Sequence, residues 1–120
     1  MRNILVTGGT GFLGQHLVTF LASLSMNITI LLRKDSLPSH NIHPSINLLY
    51  IDDETNLSKL ANNIDCVLHL ATCYGRKGET REEIYETNLN FGIKVLKLAK
   101  KIKATYFINF DTSLPNHINH

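Results

Sequence analysis

The sequence predicts one three-layer α/β domain, a doubly wound parallel sheet with helices on both faces. Three observations predict it. Short apolar, β-branched runs read as strands buried on both sides; these runs alternate with segments of helical period; and the first run breaks at once into a glycine cluster. Length and composition suit one such domain: 120 residues, 43% apolar and 18% charged, with 7 glycines and 3 prolines. A chain of this size hides roughly two thirds of its unfolded surface, enough for a real core. The same composition excludes disordered, collagen-like and coiled-coil chains.

The elements follow in order. Asn3-Ile4-Leu5-Val6-Thr7 is the first predicted strand. From Gly11 the period changes, and Leu13, Leu17, Phe20 or Leu21, and Leu24 recur on one side of a helix, with Gln15, His16 and Thr19 on the other. Asn27 to Leu32, Ile46 to Ile51 and Cys66 to Leu70 are the next three strands. Between the last two, Leu57, Leu60, Ala61 and Ile64 predict a short helix with Asn56 as its N-cap. The strongest helix runs from Glu82 to Lys103. Ile84, Asn88, Phe91 or Gly92, Val95, Ala99 and Ile102 form its stripe; Glu82, Glu83 and Glu86 occupy its first turns and five lysines its last, matching the helix dipole. Thr105 to Phe110 is the fifth strand. Only Asp35 to Ser45, with Pro38 and Pro44, interrupts the alternation and reads as a loop. The alternation implies a parallel sheet with right-handed crossovers, and a Rossmann-like strand order of 3-2-1-4-5 is expected.

Charge and cysteines narrow the function classes. The net charge is +2, and the 12 Lys/Arg are spread along the chain with a modest bias to Lys94 through Lys103, so no nucleic-acid partner is expected. The N-terminal apolar run is broken by glycine too early for a secretory signal or a membrane span, and a cytoplasmic protein with no membrane partner is expected. Cys66 and Cys73 match no zinc spacing and read as small hydrophobes. His69, flanked by leucines, reads as a satisfied core histidine; His40, His43, His117 and His120 are scattered in polar loops, and no metal site is expected.

The sharpest motif is Thr7-Gly8-Gly9-Thr10-Gly11-Phe12-Leu13-Gly14, with glycines at 8, 11 and 14 between the first strand and the first helix. A pyrophosphate site needs glycine three times: for a tight turn, for close approach of the backbone to the phosphates, and for packing of helix on strand. The context of buried strand before and amphipathic helix after gives the motif its weight. A purely structural glycine turn is the competing reading.

With these residues in place, the chain resembles the extended short-chain dehydrogenase/reductase family of nucleotide-sugar epimerases, dehydratases and reductases. The glycine spacing carries the resemblance, together with Asp65-Cys66-Val67-Leu68-His69-Leu70-Ala71 on the fourth strand and Asn88-Leu89-Asn90-Phe91-Gly92 on the last helix. It implies an NAD(P)-binding domain with cofactor contacts from Gly8, Gly11, Phe12, Leu13 and Gly14, from Asp52 or Asp53 facing the adenine, from Leu70, Ala71 and Thr72 after the fourth strand, and from Asn88. Asn88 is read equally well as tying its helix to a neighbouring backbone. Arg33 and Lys34, ending the second strand, can neutralise a 2′-phosphate and favour NADP(H) over NAD(H), with Asp35 and a solvated-loop reading against them.

The resemblance also implies a hydroxyl at the end of the fifth strand that binds the reacting oxygen of a nucleotide-sugar substrate. Thr112 stands there with Ser113 next; a simple turn before Pro115 is the alternative. The family's proton donor, a tyrosine with a lysine four residues on, is not found: Tyr50 is followed by Glu54, Tyr74 by Gly78, Tyr85 by Leu89 and Tyr106 by Phe110. Two readings are open at this point. The chain is the N-terminal piece of an oxidoreductase and inactive alone, or it is a short dinucleotide-sensing module; a reductase of small non-sugar carbonyls is a third. Without later helices the last strands should leave apolar surface uncovered, so marginal stability or self-association, including a homodimer, is expected.

Overall fold

The computed structural model describes residues 2–9, 12–34, 42–70, 78 and 80–110. Five parallel strands, β1 (Asn3–Thr7), β2 (Asn27–Leu32), β3 (Asn47–Tyr50), β4 (Cys66–His69) and β5 (Tyr106–Asn109), form one sheet in the order β3-β2-β1-β4-β5. Among the described residues three helices connect them: α1 (Phe12–Ser23), α2 (Glu54–Ser58) and α3 (Arg81–Lys101). The doubly wound topology expected from the alternation is present, and β1 and β2 have the expected bounds. β3, β4 and β5 are shorter by one or two residues.

Burial explains the order. Ile4, Leu5, Val6 and Thr7 of β1 are all buried, as only a central strand covered on both faces can be. Alternate residues feed two cores. Leu5, Leu31 and Val67 pack with Leu57, Phe91, Val95 and Ile102 under α2 and α3, while Val6, Ile30 and Leu68 pack with Val18 under α1. At the N-terminal rim of the sheet, Asp65 Oδ2 accepts the Asn3 N–H at 2.8 Å and Asn3 Oδ1 accepts from Asn27 Nδ2 at 2.8 Å. These bonds hold the register of the three central strands at the end opposite the glycine turn.

The helix ends show where local signals succeed and fail. α3 opens with a capping box: Thr80 Oγ1 accepts the Glu83 N–H at 3.1 Å and Glu83 Oε1 accepts the Thr80 N–H at 3.3 Å. α2 starts earlier than its apolar residues suggest. Its N-cap is Asp53 rather than Asn56, and Asn56 instead donates to Asp53 from its backbone and its side chain. A carboxylate three residues ahead is the better acceptor for the free N–H groups of the first turn. Leu60 and Ile64 reach the core from the turns that follow, where Asn62 takes a left-handed φ of 64° and donates its N–H to Ile102 O at 2.9 Å.

Two outer surfaces stay apolar. Tyr106 and Ile108 on β5 and Phe110 just after it are exposed, since α1 covers β1 and β2 but does not reach the far edge. That agrees with the expectation of uncovered surface on the last strands. A second stripe, Tyr85, Leu89, Ile93 and Leu96, runs along the outside of α3. Among the described residues no helix is long and apolar enough to cross a membrane. The half-buried Cys66 thiol has its pKa pushed up, by burial first and by the Asp65 carboxylate second, which makes it a poor nucleophile.

Beyond α3, Lys103 has a φ of 59°, a left-handed conformation in which its Cβ is strained. Lys103→Gly should therefore stabilise the fold by about 0.5–1 kcal/mol despite glycine's larger unfolded-state entropy. Urea titration checks this, and an unmoved or lowered midpoint would show that no strain is relieved there.

Candidate functional site

At the C-terminal edge of the sheet β1 has β2 on one side and β4 on the other, the point from which the chain winds both ways. Sheets of this kind bind ligands in the crevice at that reversal. The turn after β1 is built for close approach. Gly8 has a φ of 71°, which favours glycine, and a Cβ added at Gly14 would overlap the Gly8 carbonyl oxygen and stand 2.8 Å from the Gly9 Cα. The first turn of α1 therefore lies directly on the turn that leaves β1. A Cβ at Gly9 would meet Ile30 Cδ1 at 2.9 Å, a requirement the three-glycine spacing does not reveal.

The predicted site residues fall as follows. Gly8, Arg33 and Leu70 come directly after β1, β2 and β4, and Asp52 and Asp53 after β3, so all five gather along the C-terminal edge of the sheet with Gly14 behind them. Arg33 is half-buried and Lys34 exposed; Asp52 is exposed and Asp53 half-buried. Both oxygens of Asp53 accept from Asn56, which holds its carboxyl below the usual range, with the side-chain bond the larger cause. Asn88 is half-buried in α3. Phe12 and Leu13 open α1, whereas Gly11, Ala71, Thr72, Thr112 and Ser113 lie outside the described residues.

Between these residues runs a polar bridge invisible to periodicity. Thr7, fully buried, places Oγ1 2.7 Å from His69 Nδ1, and the same oxygen accepts the Leu70 N–H at 3.0 Å. One hydroxyl thus joins the ends of β1 and β4. The reading of His69 as a satisfied core histidine holds; its partner Thr7, 62 residues away, is what sequence reasoning missed. The His69 ring lies 5.8 Å from Phe91 and 6.3 Å from Phe107, and the Arg33 guanidinium carbon lies over the Phe91 ring, 5.9 Å from its centre. Among the described residues no buried side-chain polar atom lacks a hydrogen-bond partner.

A doubly wound sheet whose first turn holds a helix against a glycine carbonyl defines a Rossmann-type nucleotide-binding domain as its class. The chain belongs to the NAD dependent epimerase/dehydratase family, whose profile matches residues 4–115. It is 31% identical over 119 residues to CDP-abequose synthase of Salmonella muenchen, a match that covers 99% of this chain and 40% of the relative. UDP-glucose 4-epimerase of Thermotoga maritima, solved with UDP-glucose, superposes with a TM-score of 0.72 at 25% identity over 93% of this chain and 38% of that one. The Bordetella bronchiseptica enzyme WbmH, solved with NAD+, shares the fold at a TM-score of 0.71 and 23% identity, over 95% of this chain and 40% of the other. The chain thus spans about 40% of the length of these relatives.

Burial lowers the pKa of His69 below its ordinary value of 6.5. Above about pH 7 His69 is neutral folded or unfolded and makes no pH-dependent contribution. Below the unfolded value the unfolded chain takes up the proton first, so stability should fall as pH drops from 6.5 to about 5. The lowered pKa of Asp53 acts in a different window, stabilising above the ordinary carboxylate value and lost only as pH falls below it. Urea midpoints measured from pH 7.5 to 5 should slope more steeply for the wild type than for His69→Asn, and equal slopes would refute the account.

Proposed function

We propose that the chain is the NAD(P)-binding, N-terminal part of a nucleotide-sugar epimerase, dehydratase or reductase. The observation that carries the reading is the Gly8–Gly14 close approach at the winding reversal, which seats the first turn of α1 against the turn that leaves β1 and so brings a helix N-terminus, where phosphates are received, to the end of the central strand. The named activities of the relatives support it. In this reading Gly8, Gly11 and Gly14 seat the pyrophosphate with the backbone of Phe12 and Leu13, Asp52 or Asp53 faces the adenine, and Leu70, Ala71, Thr72 and Asn88 line the nicotinamide side. Arg33 and Lys34 favour NADP(H), the guanidinium receiving a 2′-phosphate along its N–H edge.

When bound, the nicotinamide supplies hydride transfer to or from a sugar carbon. The Thr112 hydroxyl, with Ser113 beside it, hydrogen-bonds the reacting hydroxyl or keto oxygen and orients that carbon. A tyrosine with a lysine four residues on, the pair that would move the proton, is absent from these 120 residues, so the chain by itself should bind cofactor and turn over nothing. The second reading is a dinucleotide-sensing module. The native mass separates them: well above 120 residues supports the first, and 120 residues with tight cofactor binding supports the second.

The outer stripe of α3 suits a homodimer. Two antiparallel α3 helices centred on residue 91 would set Leu89 against Ile93 of the partner subunit and Glu82 against Lys100 of the partner subunit, apolar on apolar and opposite charge on charge. Sedimentation velocity should find dimers of the wild type and monomers of Leu89→Lys; a monomeric wild type at high concentration removes the interface.

Calorimetric titration tests the cofactor reading. Gly11→Asp should abolish binding of NADPH and NADH alike, and full affinity in the folded variant would sink the assignment. Arg33→Ala should weaken NADPH by about 10-fold or more, the worth of a charge-assisted phosphate contact, and spare NADH; an equal loss of both would show that Arg33 does not read the 2′-phosphate.

A further inference from the structure

The ends of three strands meet α3 in one continuous line of contacts. Thr7 holds His69, the His69 ring lies 5.8 Å from Phe91, and the guanidinium carbon of Arg33 lies 5.9 Å from the centre of the same Phe91 ring. Phe91 cannot swing away. It is 8% exposed and packed in the core with Leu5, Leu31 and Val95, with His69 at its flank. Arg33, by contrast, sits half-buried just past the end of β2 on a long side chain with many rotamers.

An arginine that must order itself when a phosphate arrives spends rotamer entropy on binding; one already lying on a ring has spent it in folding. The two contacts are compatible because they use different parts of the guanidinium. A guanidinium can offer its face to a ring and its N–H edge to phosphate oxygens at the same time. We infer that Phe91 is a specificity-determining positioning residue, whose ring holds Arg33 at the end of β2 ready for the 2′-phosphate of a dinucleotide. Phe91 acts only through Arg33, and the inference rests on the reading of Arg33 as the 2′-phosphate contact.

The test titrates the full chain with NADP+ and with NAD+ in the wild type, Phe91→Met, Phe91→Tyr and Arg33→Ala. Methionine keeps the apolar bulk without a π face, and tyrosine keeps the face. Phe91→Met should bind NADP+ about 3- to 10-fold more weakly with NAD+ changed by less than about 2-fold, and Phe91→Tyr should bind as the wild type does. A wild-type NADP+/NAD+ ratio in Phe91→Met alongside a collapsed ratio in Arg33→Ala overturns the role of Phe91 and leaves Arg33 as the reader. Equal losses of both cofactors in Phe91→Met overturn it also. An unchanged ratio in Arg33→Ala overturns the reading of Arg33 and the inference together. Should the methionine variant not fold, the wild type still decides: ring current from Phe91 should move the Arg33 side-chain proton resonances upfield of ordinary arginine values, and unshifted resonances overturn the contact.

Discussion

A strand buried from its second residue to its last can keep no polar group waiting for water, and β1 is such a strand. Its backbone is satisfied on both sides by parallel neighbours, its apolar side chains divide between two cores, and its buried polar side chain, Thr7, is bonded to His69 and to the Leu70 N–H. Everything else arranges itself around that requirement. Helices must cover both faces, so the chain must wind both ways from β1, and the reversal this creates opens a crevice where β1 ends. Gly8 and Gly14 then let α1 begin against the strand end instead of beside it.

The cost of taking polar groups out of water also explains what was legible in the sequence. Strands buried on both faces must be apolar throughout, which is why Asn3–Thr7 and Asn27–Leu32 can be read to the residue. The outer strands are half-exposed, their composition is less constrained, and β3 and β5 come out shorter than their apolar runs. The start of α2 was misplaced because its apolar residues lie mostly in the turns after it, while the cap that starts it is the acidic Asp53. The glycine spacing is legible since Gly8 and Gly14 answer to a steric demand made between residues six apart in sequence.

What stayed hidden depends on distance along the chain. Thr7 and His69 are 62 residues apart, and Arg33 and Phe91 nearly as far, so no periodicity links them. Phe91 reads as one member of a stripe, and so it is; that a cation from β2 lies over it follows only from the packing of α3 on the sheet. Gly9 likewise answers to Ile30 across the strand pair and to nothing nearby. Thus the positions of the glycine turn and the charged residues could be read, and the side-chain bridges that connect them could not.

The register of the sheet has one more consequence, for the order in which it can assemble. Parallel strands have no hairpin to start from: Asn3 meets Asn27, Thr29 meets Asn47, Ile4 meets Cys66 and Cys66 meets Tyr106, separations of 24, 18, 62 and 40 residues. Closing the longest loop costs only about 0.8 kcal/mol more than the β1–β2 loop by chain entropy alone, yet high contact order of this kind is what makes domains fold in milliseconds to seconds instead of microseconds. The half formed by β1, α1, β2 and β3 can collapse on its own local closures first. The seam between β1 and β4, where Thr7 finds His69, can knit only once more than half of the chain has been drawn in, so the crevice takes its shape only after the longest closure in the sheet.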